Sequence, residues 1–146
     1  MNYGAIKKND IADGPGVRVS LFVSGCRHHC KNCFNSEAWD FNYGSRFTED
    51  TLNELLEALD KNYIEGFSLL GGEPFEPENQ KGVLEILKAI KQKFPQKTVW
   101  CYTGFLYDTQ LLGGKVGDRQ TVLEILENID VLVDGKFEKD NTELNL

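Results

Sequence analysis

Along the chain, Val17, Val19, Leu21 and Val23 alternate with Arg18, Ser20, Phe22 and Ser24, a period of two that predicts a strand. Thr48 is placed to cap a helix, with Glu49 and Asp50 in its first turn. Leu52, Leu55, Leu56 and Leu59 follow at helical spacing, so the helix should run over about 49–61. Phe67–Leu70 is a short apolar run ending in Gly71-Gly72, a candidate buried strand. Val83, Leu84, Ile86, Leu87, Ile90 and Phe94 give a second amphipathic helix, stopped by Pro95. Thr98–Tyr102, rich in β-branched and aromatic residues, predicts a third strand. Val122, Leu123, Ile125, Leu126 and Ile129 predict another helix, and Val131–Val133 a fourth strand.

Strands alternating with helices imply βα units and a parallel sheet with right-handed connections. Four such units are too few for a closed eight-stranded barrel. The expectation is an α/β fold, a partial (open) βα barrel with a mostly parallel sheet. It should form one domain over residues 1–146, with a polar C-terminal tail from about 138 to 146. The unusual loops each follow a strand: Gly25–Phe34, Gly71–Pro74, Thr103–Phe105 and Asp134–Phe137. In parallel α/β folds such loops share one rim, where ligands bind.

A chain of 146 residues suits one domain. At that size roughly 70% of the unfolded surface is buried, so no disulfide is needed to hold a core. The composition, 40% apolar and 27% charged, is that of a soluble globular protein. No apolar run is long enough to span a membrane. The first residues, Met1 to Lys8, have no apolar signal segment, so a cytoplasmic location is expected. A net charge of −7 argues against nucleic acid as a partner, because phosphate contacts call for a basic surface. Of four cysteines, three fall within eight residues. In a reducing compartment that clustering points to a metal or cluster site and away from disulfides.

The cysteine segment reads Cys26-Arg27-His28-His29-Cys30-Lys31-Asn32-Cys33. Thiolates suit iron–sulfur clusters and zinc. A [4Fe–4S] cluster takes one thiolate per iron, so three ligands in one loop leave an iron open to a substrate. The rival reading is a structural zinc site with His28 or His29 as fourth ligand, in a zinc-stabilised interaction module. Zinc sites more often use paired short spacings from two segments, and no second pair is present. Three unliganded thiols are the remaining alternative.

Gly71-Gly72-Glu73-Pro74 permits a close backbone approach and adds a carboxylate at the rim, suited to an ammonium group; by itself it also reads as a plain strand–helix turn. Asp13-Gly14-Pro15-Gly16-Val17-Arg18 marks a tight turn before the first strand. Asp13 and Arg18 are either surface charges or groups shaping a pocket or partner contact. Cys101, inside a predicted strand, reads as a buried structural thiol. Trp39 and Phe41 read as packing residues.

Cys26, Cys30 and Cys33 in CxxxCxxC spacing, with Gly71 to Pro74 after the next strand, resemble the radical S-adenosylmethionine superfamily. Asp13 to Arg18 and the run from Ser24 to Asn35 resemble its glycyl-radical-enzyme activases. His28-His29, Trp39-Asp40-Phe41, Tyr102 to Phe105 and Asp130 to Gly135 carry the likeness toward the activases of anaerobic ribonucleotide reductase; those of pyruvate formate-lyase come next. The likeness spans about residues 2 to 137.

It implies a radical SAM domain whose [4Fe–4S] cluster is held by Cys26, Cys30 and Cys33. S-adenosyl-L-methionine would lie along Asn32, Cys33, Phe34, Gly71, Gly72, Glu73 and Pro74, with Gly72 and Glu73 on its amino group. Asn32 stands where many members carry an aromatic residue for adenine, and Phe34 is the nearby ring. Asp13, Arg18, His28 and His29 would shape the pocket or the partner contact. The implied partners are the glycyl radical subunit of anaerobic ribonucleoside-triphosphate reductase and an electron donor such as flavodoxin or ferredoxin. No membrane and no nucleic acid enter the implied chemistry.

Overall fold

The computed structural model of the chain describes residues 1–28 and 36–135. Its centre is a mixed six-stranded sheet ordered β3-β1-β2-β4-β5-β6. The strands are β1 (Asn2–Asp10), β2 (Val17–Val23), β3 (Ser45–Arg46), β4 (Ile64–Gly71), β5 (Thr98–Tyr102) and β6 (Val131–Val133). Three helices connect the parallel part: α1 (Glu49–Leu59), α2 (Pro77–Lys93) and α3 (Arg119–Glu127). β2, β4, β5 and β6 pair in parallel, whereas β1 is antiparallel to both β2 and β3. The sheet is therefore mostly parallel, as the strand–helix alternation predicts. Among the described residues no helix is long and apolar enough to cross a membrane.

The predicted strand at 98–102 and the last strand have the observed bounds. The Phe67–Leu70 run is the centre of the longer β4, which begins at Ile64. Thr48 caps α1, its side chain accepting from the Thr51 amide while the Thr51 side chain returns to the Thr48 amide. α2 starts at Pro77, where a missing N–H costs nothing, and ends just before Pro95.

β1 lies outside the predicted strands. Its residues Asn2–Asp10 carry few apolar side chains and most are exposed or half-buried, as befits a strand near the sheet's edge. The Gly14-Pro15-Gly16 turn was its one sequence signal: it closes an antiparallel hairpin onto β2.

One face of the sheet carries Val19, Leu21, Val23, Phe67, Leu69, Val99 and Cys101 into a core shared with Leu55, Leu59, Val83, Leu87, Ile90, Val122 and Ile125 of the helices. The other residues of β2 are not left to water. Arg18 and Ser20 are fully buried on the second face. The Arg18 guanidinium spans the sheet: Nε donates to Ser68 Oγ at 2.8 Å, and Nη2 donates to the carbonyls of Phe67 and Thr98 at 3.1 and 2.7 Å. Nη1 donates to the Pro15 carbonyl at 3.1 Å, and the Trp100 ring lies 5.9 Å from the guanidinium carbon. Ser68 Oγ in turn donates to the Asp13 carbonyl at 2.6 Å. A side chain at Gly14 or Gly66 would run into this arginine, at 2.9 and 2.5 Å. The Gly-Pro-Gly turn is thus held against the sheet by a cation buried on its second face.

Arg18→Ala should strand these buried acceptors and leave a cavity. The expected loss is on the order of 3 kcal/mol of unfolding free energy, read as a lower urea midpoint at unchanged slope.

Candidate functional site

The C-terminal ends of β2, β4 and β5 lie side by side, and the loops that leave them are joined by specific bonds. Cys26 follows β2 and is buried. The backbone that carries it is fixed on both sides. Gly25 N–H donates to the Ala38 carbonyl at 2.7 Å and Cys26 N–H to the Trp39 carbonyl at 3.1 Å. Ser24 Oγ donates to the Tyr43 carbonyl at 2.7 Å. Phe41 packs so closely over Gly25 that no side chain fits there. Phe41 is thus a packing residue, as expected, while Trp39 meets the loop through its backbone carbonyl.

Arg27 binds the loop to the start of α2. Its amide donates to Glu76 Oε2 at 2.6 Å, and its guanidinium donates to Glu76 Oε1 at 3.0 Å and to both carboxylate oxygens of Glu78. The guanidinium holds the Glu78 carboxyl below the usual range. Asn79 Nδ2 completes the joint by donating to the carbonyls of Ser24 and Glu73, both at 3.0 Å. Arg27, Glu76 and Asn79 were not singled out from the sequence, and no spacing rule relates residues 27 and 76.

The Gly71-Gly72-Glu73-Pro74 segment meets this loop through its backbone. Gly72 N–H donates to the Val23 carbonyl and Glu73 N–H to the Gly25 carbonyl, both at 2.8 Å. A Cβ at Gly71 would lie 2.3 Å from Val23 backbone atoms, and one at Gly72 would lie 2.6 Å from the Gly25 carbonyl. The close approach at Gly71 is therefore made to the end of β2, and that at Gly72 to the cysteine loop itself.

Glu73 is fully buried. Oε1 accepts from His28 Nε2 at 2.8 Å and from the Gly104 amide at 2.7 Å. Oε2 accepts from the Phe75 amide at 2.9 Å and from Thr103 Oγ1 at 2.7 Å. A carboxylate only accepts, so the proton on the His28 bond belongs to Nε2. His28 stacks edge-on against Phe105, with ring centroids 4.4 Å apart. The expected gathering of loops is realised for His28, Gly71, Gly72, Glu73, Pro74 and Thr103–Phe105. Beyond β6, Asp134 Oδ2 accepts from the Tyr107 amide at 2.9 Å, and the Gly135 amide donates to the Phe105 carbonyl at 3.1 Å. Cys101 is fully buried in β5, and burial, with the Glu73 charge behind it, pushes its thiol well up. It is the structural thiol expected.

His29, Cys30, Asn32, Cys33 and Phe34 lie outside the described residues, as does the tail from 136. Among the described residues no group of three or more His, Cys, Asp or Glu side chains is arranged to hold a metal ion. Cys26 nonetheless suits an iron–sulfur ligand. It offers a soft donor on a backbone fixed by three neighbouring segments, beside a strand end stripped of side chains.

Asp13 and Arg18 sit at the opposite end of β2. Arg18 is fully buried and reaches no surface, so it acts through the turn it holds. Asp10 accepts from Ser20 Oγ at 2.6 Å and from the Ala12 amide at 2.9 Å. Burial and then the neighbouring Asp10 carboxyl push Asp13 up to about 6. For Asp10, burial works upward but is outweighed by hydrogen bonds from Asp13, Ser20 and Ala12, and its carboxyl falls below the usual range.

A family model described as a 4Fe-4S single cluster domain matches residues 12–146. The chain belongs to this iron–sulfur family. Within it, the chain is 39% identical over 95% of its length to the anaerobic ribonucleoside-triphosphate reductase-activating protein of Enterobacteria phage T4, covering 83% of that protein. It is 37% identical to the protein of the same name from Vibrio cholerae, over the whole chain and 90% of the relative. The Escherichia coli K12 protein of that name is 36% identical over 96% of this chain and 87% of its own.

Asp13 yields a pH prediction. A carboxyl whose pKa rises on folding stabilises the native state most below its unfolded pKa, and that contribution is lost as pH climbs through about 6. Asp10, shifted downward, is ionised in both states above its unfolded value of 3.8 and does not change the sign there. Asp13→Asn fixes the neutral form. The melting temperature of the unsubstituted protein should therefore fall relative to that of Asp13→Asn between about pH 4 and pH 6 and level off above, by differential scanning calorimetry. A pH-independent difference would contradict the assignment.

Proposed function

We propose that this protein activates an anaerobic ribonucleoside-triphosphate reductase by generating a glycyl radical on it. The observation that carries the reading is the bonded junction between the Cys26 loop and the Gly71–Glu73 strand end, in a chain of the 4Fe-4S single cluster family. It is supported by relatives that bear this activating name over nearly the full length of the chain.

In this reading Cys26, Cys30 and Cys33 hold the cluster, and residues 1–146 form one radical S-adenosylmethionine domain, an open βα barrel. When bound, a [4Fe–4S] cluster with one open iron supplies the electron that cleaves S-adenosylmethionine to methionine and a 5′-deoxyadenosyl radical, which takes a hydrogen atom from a backbone glycine of the reductase. The chain's own task is placement. The paired loops fix Cys26 against the bare Gly71-Gly72 backbone, where the methionyl end of the substrate would lie. Asn32 and Phe34 would line its adenosyl side, and Pro74 belongs to the binding segment that begins at Gly71. Asp13, with its turn fixed by Arg18, and His29 are the candidates for shaping the pocket or meeting the partner. Holding the reacting groups in register is worth many orders of magnitude in effective concentration, and no general base is required. The electron would come from a flavodoxin- or ferredoxin-like donor in the cytoplasm.

The test is to purify the protein without oxygen, reconstitute and reduce it, and record EPR spectra with and without S-adenosylmethionine. The expected result is a cluster signal that changes on adding the ligand, and 5′-deoxyadenosine formation that drops to background in Cys26→Ala, Cys30→Ala and Cys33→Ala. A colourless, EPR-silent protein containing zinc, or cleavage retained in Cys30→Ala, would overturn the proposal.

A further inference from the structure

Glu76 stands at the N-cap of α2, where an oxygen-bearing side chain usually accepts from the helix's own first amides. Its side chain makes no such bond. The carboxylate is buried and turns back to the cysteine loop, where Oε2 accepts from the Arg27 amide at 2.6 Å and Oε1 from the Arg27 guanidinium at 3.0 Å. A buried carboxylate is costly unless it is paired. Arg27 supplies the pairing cation, and the partial positive charge at the helix N-terminus favours the same ionised form. Arg27 binds through its backbone as well as its side chain, so the contact fixes the chain immediately after Cys26 and not only a long side chain's tip. The guanidinium also lies over the Phe41 ring, 4.7 Å from its centroid, and Phe41 is the ring that closes over Gly25. Glu78 grips the outer edge of the same guanidinium from an exposed position.

We infer that Arg27 and Glu76 are positioning residues for the first cluster ligand: the carboxylate, withheld from capping α2, holds the backbone on the C-terminal side of Cys26 and sets the place of that thiol through protein bonds alone. The N-terminal side is held by the Gly25 and Cys26 amides, so Glu76 supplies the other half of the cradle. Both residues act on the cluster only through the backbone they hold. The inference rests on reading Cys26 as a cluster ligand.

Two measurements test it. In the cluster-free protein, the Arg27 amide should exchange its hydrogen about tenfold faster in Glu76→Ala than in the unsubstituted chain, and Glu76→Gln, which keeps an acceptor, should recover most of the protection. Unchanged Arg27 exchange in Glu76→Ala overturns the inference, whatever the cluster does. In the reconstituted protein, the loss of iron to a ferrous chelator is followed by absorbance. Glu76→Ala should lose iron about tenfold faster, and Glu76→Gln and Arg27→Ala less so, because each keeps the bond to the Arg27 amide. Glu78→Gln should stay within about twofold of the unsubstituted rate, because an exposed ion pair adds little. Val122→Ala, a core truncation in α3 that lowers stability away from the loop, should also stay within about twofold. Iron lost from Val122→Ala as fast as from Glu76→Ala would make the effect one of general stability, and the same rate from Glu78→Gln would move it to the surface pair; either result overturns the inference, as does an unchanged rate in Glu76→Ala. If the unsubstituted protein takes up no iron, the reading of Cys26 as a ligand falls instead, and Arg27 exchange still decides whether the carboxylate holds the loop.

Discussion

The arrangement of the rim depends on a single buried carboxylate. Removing a charge from water costs several kcal/mol unless hydrogen bonds replace the lost hydration. Glu73 meets that condition only when His28, Thr103, Gly104 and Phe75 are all in place. The demand works in both directions. The loops need the carboxylate to stay together, and the carboxylate needs the loops to stay folded. Three segments that are distant in sequence are thereby made into one body.

A second layer of order surrounds it. The backbone bonds from Gly72 and Glu73 to the cysteine loop need no particular side chain, only the lack of one at Gly71 and Gly72. Arg27, Glu76 and Asn79 then fasten the same loop to the first turn of α2. Backbone contact sets the spacing, and side chains lock it. The division explains why the Gly-Gly-Glu-Pro string reads in isolation like an ordinary strand–helix turn: half of its meaning lies in the loop it touches.

Much of the fold was legible in the sequence, and the parts that were not share a cause. β5 and β6 appear where β-branched and aromatic residues concentrate, and α1 begins at the capping threonine. β1 was missed because a strand near the sheet's edge, flanked outside only by the two-residue β3, has little apolar side to bury and so writes no period into the sequence. The polar half of β2 was readable as a strand, but its full burial was not, because Arg18 finds its partners on β4, β5 and the turn. In the site, the cysteine spacing and the glycine pair were visible as local strings. The Arg27–Glu76 bond and the saturation of Glu73 were not, since they are long-range pairings that no local pattern encodes.

Arg18 and its two glycines carry a consequence for how such a chain changes over generations. A side chain at Gly66 would occupy the volume of the Arg18 guanidinium, and one at Gly14 would meet the same arginine further back along its stem. Yet the arginine is not what closes either position. A Cβ at Gly66 would lie 2.0 Å from the Thr98 carbonyl, and Gly14 holds a φ of +121°, so both stay glycine even where the arginine is lost. The dependence therefore runs one way: the backbone demands the glycines, and the arginine occupies room that they leave whatever else changes.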